Sequence, residues 1–454
     1  YILNFGSNIL EAHTNHTSVA QRLIKALADR RVKMVTFDVR LSNTAARSSE
    51  WVPVKPGTDI AVVLAMCNVI MSEDLHKGEG EAFLKFVKAT ADPNASTEEK
   101  VAALKVHLAK YTPDWAAGIS GVPADKIRAI AREVATTKPA CVISYRGAVA
   151  HYRGAETERA VQMLAAITGN VDNPGGRCVA VGAKWKYPKG PKKKPKGKKL
   201  KIVDGFKGQA ALPTHHINHQ VFEMIKDGKA GRPEVYMWYC YAPVYSNGDC
   251  KTNIEVLKDE SLIPLTVCVN PFYDEAAALA DIILPDTTYL ERWDWEDMVS
   301  PAQIPEHYIR QPLIKPLGEV RNFADVCVDL AERMGFPLGV KSMEEFVAMS
   351  CEKTKEVSKA GGLDYMKAKG CLADRNAKPK FFSYMKKVKE SDLGKDGVIL
   401  DEAMGVYWNW HKSKAKSQEE ALKKGYGHTK SAYKGYVGQK IGDAVYKGFK
   451  PDKV

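Results

Sequence analysis

The chain opens on an apolar run, Tyr1 to Phe5, which Gly6-Ser7-Asn8 interrupts. A stretch near Ser18 to Asp29 follows with apolar residues at helical spacing, and a second apolar run, Val32 to Phe37, stops at Asp38. This pattern predicts a strand, a helix and a second strand lying parallel to the first. Asp59 to Met71 is apolar on nearly every side and reads as a buried helix, and a more polar helical region runs on to about Lys110. Gly121-Val122-Pro123-Ala124-Asp125 then starts a helix, with Pro123 in its first turn and Ile127, Ile130 and Val134 on one face. Cys141 to Ser144 is another buried strand, ending at Tyr145-Arg146-Gly147. Glu158 to Ile167 is a helix stopped by Gly169, and Asn173-Pro174-Gly175-Gly176 is a closing turn.

The alternation resumes further on. Val235 to Cys240 and Ile263 to Val269 read as strands, the second ending at Asn270, with a helical connection over Asn253 to Leu257 between them. Asp281 to Leu284 is a short strand before Pro285, and Phe323 to Met334 an amphipathic helix ending at Gly335. Beyond about Lys341 the pattern is helical and rich in lysine. The predicted class is therefore α/β: two Rossmann-like lobes with mostly parallel sheets, plus a helical, lysine-rich C-terminal segment. The boundaries predicted are 1–180 for the first lobe with a helical insertion, 181–215 for a lysine-rich connector, 216–340 for the second lobe and 341–454 for a helical or irregular basic segment. A length of 454 residues agrees with more than one lobe, because single cores stop growing near roughly 250 to 300 residues.

Charge changes this picture little. The net charge of +13 is concentrated in two stretches: Lys189 to Lys201 holds +8 and Gly405 to Val454 holds +7, so the rest of the chain carries −2. Lysines mixed with Pro and Gly, almost without arginine, form solvated loops or meet an acidic partner surface, and no nucleic-acid partner is expected. Nine cysteines are scattered without a CxxC pair, and several, such as Cys67 and Cys268, sit in apolar runs as small core residues. No apolar run approaches about 18 residues, so no direct membrane span is expected. The buried strand at the first residue and the absence of a closing element after Gly448 predict an internal piece of a longer protein.

In parallel sheets ligands sit beyond the carboxyl ends of the strands. Gly6-Ser7-Asn8 lies at such an end and offers backbone N–H groups and polar side chains to a phosphate, or is an ordinary strand-to-helix turn. Asp38, at the end of the next strand, can accept from a ribose or from the N1–H and N2–H edge of a guanine. Lys55-Pro56-Gly57-Thr58-Asp59 fixes a tight turn with a hydroxyl and a carboxylate at a helix start, which is also what a plain cap needs. His215 and His219 stand four apart beside His216, but no HExxH pattern accompanies them, and no metal ligand is assigned.

Five segments in one order carry a resemblance. Ile2 to Asn8, Phe37 to Ala45 (Phe-Asp-Val-Arg-Leu-Ser-Asn-Thr-Ala), Lys55 to Asp59, Thr168 to Gly176 (Thr-Gly-Asn-Val-Asp-Asn-Pro-Gly-Gly) and Ala280 to Arg292 together resemble the large subunits of the dimethyl sulfoxide reductase superfamily of molybdopterin oxidoreductases. The likeness spans about Tyr1 to Pro337. It implies two molybdopterin guanine dinucleotides holding molybdenum or tungsten, and a two-electron reaction on a small inorganic substrate. By the resemblance, Gly6, Ser7, Asn8, Asp38, Arg40, Gly57, Thr58 and Asp59 serve one dinucleotide. Arg146 and Gly147 approach its pterin or pyrophosphate, and Asn270, Phe272 and Arg292 serve the second. A surface ion pair of Arg292 with Glu291 or Asp294 is the simpler alternative.

Two positions depart from the family. Ala242-Pro243 stands where Asn-Pro is common, leaving that contact to Tyr241 or Asn247, and Asn270 stands where Asp is frequent. The metal-ligating residue and an iron-sulfur domain are expected upstream of Tyr1, so no catalytic residue is assigned. The segment Thr288 to Asp294, with Arg310-Gln311-Pro312, is most similar to polysulfide, thiosulfate, tetrathionate and arsenate reductase-type subunits, which implies a sulfur or arsenic oxyanion as substrate. Formate dehydrogenase or nitrate reductase chemistry is the alternative within the family, and a non-catalytic scaffold with a basic partner-binding tail the alternative outside it. An iron-sulfur electron-transfer subunit, a membrane anchor subunit and a periplasmic setting are implied by the same analogy.

Overall fold

β1 (Ile2–Phe5), β2 (Met34–Asp38), β3 (Glu50–Pro53) and β4 (Cys141–Ser144) pair side by side, all parallel, in the order β3-β2-β1-β4. The computed structural model describes residues 1–13, 16–29, 31–87, 92, 95–178, 182–191, 220–228, 231–296, 303–427 and 432–450. Alternate side chains of the sheet face opposite ways. Leu3, Phe5, Val35, Phe37 and Val142 pack against the helices Asp59–Ser72, Ala124–Thr136 and Gly154–Ile167. Ile2, Met34 and Ile143 pack on the other side with Leu23 and Leu27 of the helix His16–Ala28. The helix Asp59–Ser72 is buried on nearly every side, as its unbroken apolar sequence requires.

The chain divides into two compact units, Tyr1–Val179 with Pro379–Lys453, and Ala180–Lys378. In the second, β5 (Val235–Tyr239), β6 (Leu265–Asn270) and β7 (Ile282–Pro285) form a parallel sheet in that order. The helices Val221–Asp227 and Cys250–Leu257 supply Phe222, Ile225, Val256 and Leu257 to a core with Trp238 and Cys268. The same unit holds a small antiparallel sheet of β8 (Asp294–Glu296), β9 (Glu306–Arg310) and β10 (Cys371–Ala373), ordered β10-β9-β8. Among the described residues no helix is long and apolar enough to cross a membrane.

The C-terminal segment differs from the expected single helical or irregular piece over 341–454. Its first part, with the helices Met343–Lys353, Lys355–Ala360 and Gly362–Lys369, belongs to the second unit. Its second part is an antiparallel meander of β11 (Val398–Asp401), β12 (Val406–Asn409), β13 (Tyr436–Ile441) and β14 (Ala444–Tyr446) in the first unit. The cause is aromatic packing: Tyr384, Tyr446 and Phe449 lie on Phe83 and Phe86. Buried Asp172 also accepts from the Ser383 amide (2.7 Å) and hydroxyl (2.5 Å).

The start of the expected connector 181–215 likewise belongs to a core. Trp185 is buried beside Met343 and Val347, and its indole donates to the Glu296 carbonyl at 3.1 Å. Most of the lysine run, and His215, His216 and His219, lie outside the described residues.

Candidate functional site

The strand order places the switch point between β1 and β4, with helices packed on opposite faces of the sheet, and at such a point open α/β sheets form a binding crevice beyond their carboxyl edge. Gly6 follows β1 with φ +58, and the Gly147 amide donates to its carbonyl at 3.0 Å. A Cβ on Gly6 would stand 2.6 Å from the Ala148 nitrogen, and one on Gly147 would stand 2.3 Å from the Gly6 oxygen. Two glycines are therefore needed where the backbones meet. Asn4, a polar residue inside an apolar strand, shapes the turn by donating to the Ser7 carbonyl at 2.8 Å. The Ser7 hydroxyl is fully buried in the turn and has no hydrogen-bond partner among the described residues.

Asn8 is engaged: its carbonyl accepts from Thr44 at 2.7 Å and its amide donates to Glu11 at 2.5 Å. Glu11 also accepts from Asn43 and lies 3.9 Å from exposed Arg40. Asp38 ends β2 half-buried and accepts from the Ser42 hydroxyl at 2.9 Å. Arg146 is exposed after β4, with no carboxylate at ion-pair distance among the described residues. This edge therefore presents an unpaired cation beside backbone donors, the arrangement that suits a phosphate.

Gly57 turns at φ +75, and the His151 ring lies 3.6 Å from where its Cβ would be. The Thr58 hydroxyl does not cap the helix that begins at Asp59 but closes the turn by donating to the Lys55 carbonyl at 2.6 Å. Asp59 is buried, and its pKa is pushed up to about 6, chiefly by burial. Its own backbone amide and nearby His151 act against the rise, and Asp38 adds to it. His151 approaches the Gly147 carbonyl at 2.9 Å and so ties the two turns together. Sequence reading missed Asn4 and His151; a polar residue within an apolar strand, and a histidine four residues after Gly147, were the available signals.

In the second unit the expected residues again gather at a carboxyl edge, but their side chains are more committed. Asn270 is buried at the end of β6, donating to Asp274 at 3.1 Å and accepting from the Phe272 amide at 3.1 Å. It holds its own turn, while the Phe272 ring beyond it is 73% exposed. Tyr241 and Asn247, the candidates to replace a missing contact, bond each other at 2.6 Å. Arg292 pairs with Asp286 at 2.9 Å and lies 3.7 Å from Asp294, while Glu291 instead accepts from Thr288 and the Leu317 amide. For Arg292 to meet a phosphate, one of its ion pairs must open. Among the described residues no cluster of His, Cys, Asp or Glu is placed to hold a metal ion.

A family model described as molybdopterin oxidoreductase matches residues 1–333. Dimethyl sulfoxide reductase DmsA of Escherichia coli K12 is 28% identical over 351 residues, which cover 74% of this chain and 42% of that protein. The thiosulfate reductase molybdopterin-containing subunit PhsA of Salmonella typhimurium LT2 is 29% identical over 354 residues, 74% of this chain and 43% of that one. The chain thus spans less than half the length of these curated relatives. In fold it is similar to acetylene hydratase from Pelobacter acetylenicus, with a TM-score of 0.61 and 21% identity over 84% of this chain and 52% of that chain.

Proposed function

Because the chain belongs to the molybdopterin oxidoreductase family, we propose that it is the central part of a catalytic subunit holding two molybdopterin guanine dinucleotides, and that the whole protein carries out a two-electron reaction on a sulfur or arsenic oxyanion. One observation carries the reading: Gly6 and Gly147 meet without room for a Cβ at a switch point beside an unpaired Arg146 and the orphan Ser7 hydroxyl. These residues fit a phosphate-bearing dinucleotide, since such a crevice offers close backbone approach, a free donor and an uncompensated cation.

Gly6, Ser7 and Asn8 would bind the phosphates with Arg146 and Gly147, and Arg40 would add charge from the rim. Asp38 and the Gly57-Thr58-Asp59 turn would orient the base and sugar. A second group would lie along the turn that Asn270 holds, with Phe272 as an exposed stacking face and Arg292 as the cation behind it. When bound, the metal and its pterins supply the electron chemistry, and the protein supplies orientation and exclusion of water.

The sulfur substrate is supported by the names of the dimethyl sulfoxide and thiosulfate reductase relatives. The second of these is by name a molybdopterin-containing subunit, which supports assembly with other subunits; that these are an iron-sulfur electron-transfer subunit and a membrane anchor is part of the proposal. A periplasmic setting belongs to the same proposal. The test is metal and nucleotide analysis of the full-length protein purified from a host that makes the cofactor. Molybdenum or tungsten near one per chain, with GMP released on hydrolysis, is the expected result. Protein that folds but carries neither refutes the proposal.

A further inference from the structure

Residues 182–191 form no helix or strand, yet they are fastened across the second unit side chain by side chain. The Trp185 indole donates to the Glu296 carbonyl at 3.1 Å, and the Lys186 amide donates to the hydroxyl of buried Thr354 at 2.9 Å. The Tyr187 hydroxyl accepts from the Trp295 indole at 3.1 Å, and its ring lies nearly parallel to that of Phe346, with centres 5.9 Å apart. These residues are a strap, and the group it meets on β9 is His307.

His307 is buried and meets the Trp185 ring edge to face, with ring centres 5.0 Å apart. Its Nε2 is buried without a hydrogen-bond partner among the described residues. A neutral imidazole leaves at most one acceptor unpaired there, whereas an imidazolium must bury a charge and a second N–H. Burial accordingly lowers the His307 pKa, while Glu356 of the helix Lys355–Ala360 and the Lys184 backbone act against the fall. The other titratable groups on the surrounding elements are turned away or do not titrate in this range. The Lys184 side chain and Asp374, just beyond β10, are exposed. Glu306 and Tyr308 flank His307 on β9, so they face the other side of the strand, where Tyr308 donates to Glu306. Cys351 of the helix Met343–Lys353, which shares a core with Trp185, is pushed up to about 11 chiefly by burial and stays a thiol.

We propose that His307 is an acid-sensitive latch for this strap: proton uptake by its ring releases residues 182–191 from the rest of the second unit. With the strap docked the ring is held neutral; with the strap away the ring meets water and takes a proton at its ordinary value of 6.5. The docked ring therefore has the lower pKa, so its contribution to docking is whole above about pH 6.5 and is lost as pH falls through the docked value. Release strips Trp295 and Phe346 of their Tyr187 contacts and opens the chain to trypsin after Lys184 and Lys186. The device lies within the second unit and does not depend on the dinucleotides proposed above.

Amide exchange of the full chain, corrected for intrinsic rates, is compared at about pH 7.5 and about pH 5, on either side of an ordinary histidine pKa. Peptides from residues 182–191 should exchange about five-fold faster at the lower pH, and those of β5 and β6 in the same unit should not change. His307→Phe keeps a ring beneath Trp185 but cannot take a proton, and should abolish the difference. Glu356→Gln, at an exposed position, removes the carboxylate that favours the proton and should move the onset of opening to lower pH. If His307→Phe does not fold, Glu356→Gln carries the test. Equal exchange of the strap at both pH values, a rise in β5 and β6 as large as in the strap, a pH response that survives His307→Phe, or an onset that Glu356→Gln leaves in place or raises overturns the proposal.

Discussion

Replacing each of three glycines at the first crevice by alanine separates backbone strain from crowding. Gly57 has φ +75, but its Cβ would meet only the His151 ring at an ordinary 3.6 Å, so Gly57→Ala carries the left-handed penalty alone, about 1–2 kcal/mol. Gly147 has no left-handed φ, yet its Cβ would lie 2.3 Å from the Gly6 oxygen, so Gly147→Ala carries an overpacking cost of about 1–3 kcal/mol. Gly6 has both, φ +58 and three backbone atoms within 2.8 Å, and Gly6→Ala should cost roughly 2–5 kcal/mol, a large share of the 5–15 kcal/mol that holds a domain together. Amide hydrogen exchange of the peptides containing β1 and β4, read by mass spectrometry, reports opening of this sheet without assuming that both units unfold together. The expected order of destabilisation is Gly6→Ala, then Gly147→Ala, then Gly57→Ala, with GMP content lost in the first two. If Gly6→Ala opens the sheet no more than Gly57→Ala does, the contact between the β1 and β4 turns is not the constraint inferred here.

Asp59 has a folded pKa of about 6 against 3.8 in the open chain, so its neutral form is favoured by folding; the stability it contributes is present at low pH and lost as pH rises through about 6. The gap of about two pH units corresponds to roughly 3 kcal/mol, so Asp59→Asn should stabilise the apoprotein at neutral pH and flatten the fall between about pH 4 and 6 in urea titrations. Arg292→Ala leaves buried Asp286 without its counter-ion and should cost about 3–5 kcal/mol in thermal unfolding, much of it restored by adding Asp286→Asn. Ser383→Ala removes a hydroxyl bond to buried Asp172 and should loosen the C-terminal meander by about 1.5–3 kcal/mol, seen as faster proteolysis near residues 374–376.

The first sheet was legible because its strands are continuous apolar runs, and β4 falls where the sequence put it, Cys141 to Ser144. Strand β3 was not, since Glu50-Trp51-Val52-Pro53 is short, half polar and ends in proline, and it is tolerated only as an edge paired to β2. The meander was hidden by its lysines. Val-Tyr-Trp-Asn and Tyr-Val-Gly-Gln-Lys-Ile do alternate, but their burial depends on Tyr426, packed with Trp408, and on Phe83 and Phe86, far away in sequence. At the crevice, sequence placed the glycines and carboxylates at strand ends, which is a local property. It could not show that Asn8 bonds Thr44 or that His151 reaches Gly147, because those depend on how separate loops meet.

The same distinction explains why the two carboxyl edges differ. In the first unit Ser7 and Arg146 have no partners among the described residues, so an anion can enter without breaking an existing bond. In the second, Asn270 is committed to Asp274 and Arg292 to Asp286, with further partners in Phe272 and Tyr239. A phosphate there must compete with a buried carboxylate for the same guanidinium, which lowers intrinsic affinity by whatever the Asp286 pair is worth. Loading of the second position should therefore be the weaker of the two, and Asp286→Asn, which frees Arg292 while keeping the shape, should strengthen it. Measuring GMP per chain in the parent and in Asp286→Asn decides the matter: an unchanged or lower content in the variant would mean that Arg292 does not face the second dinucleotide.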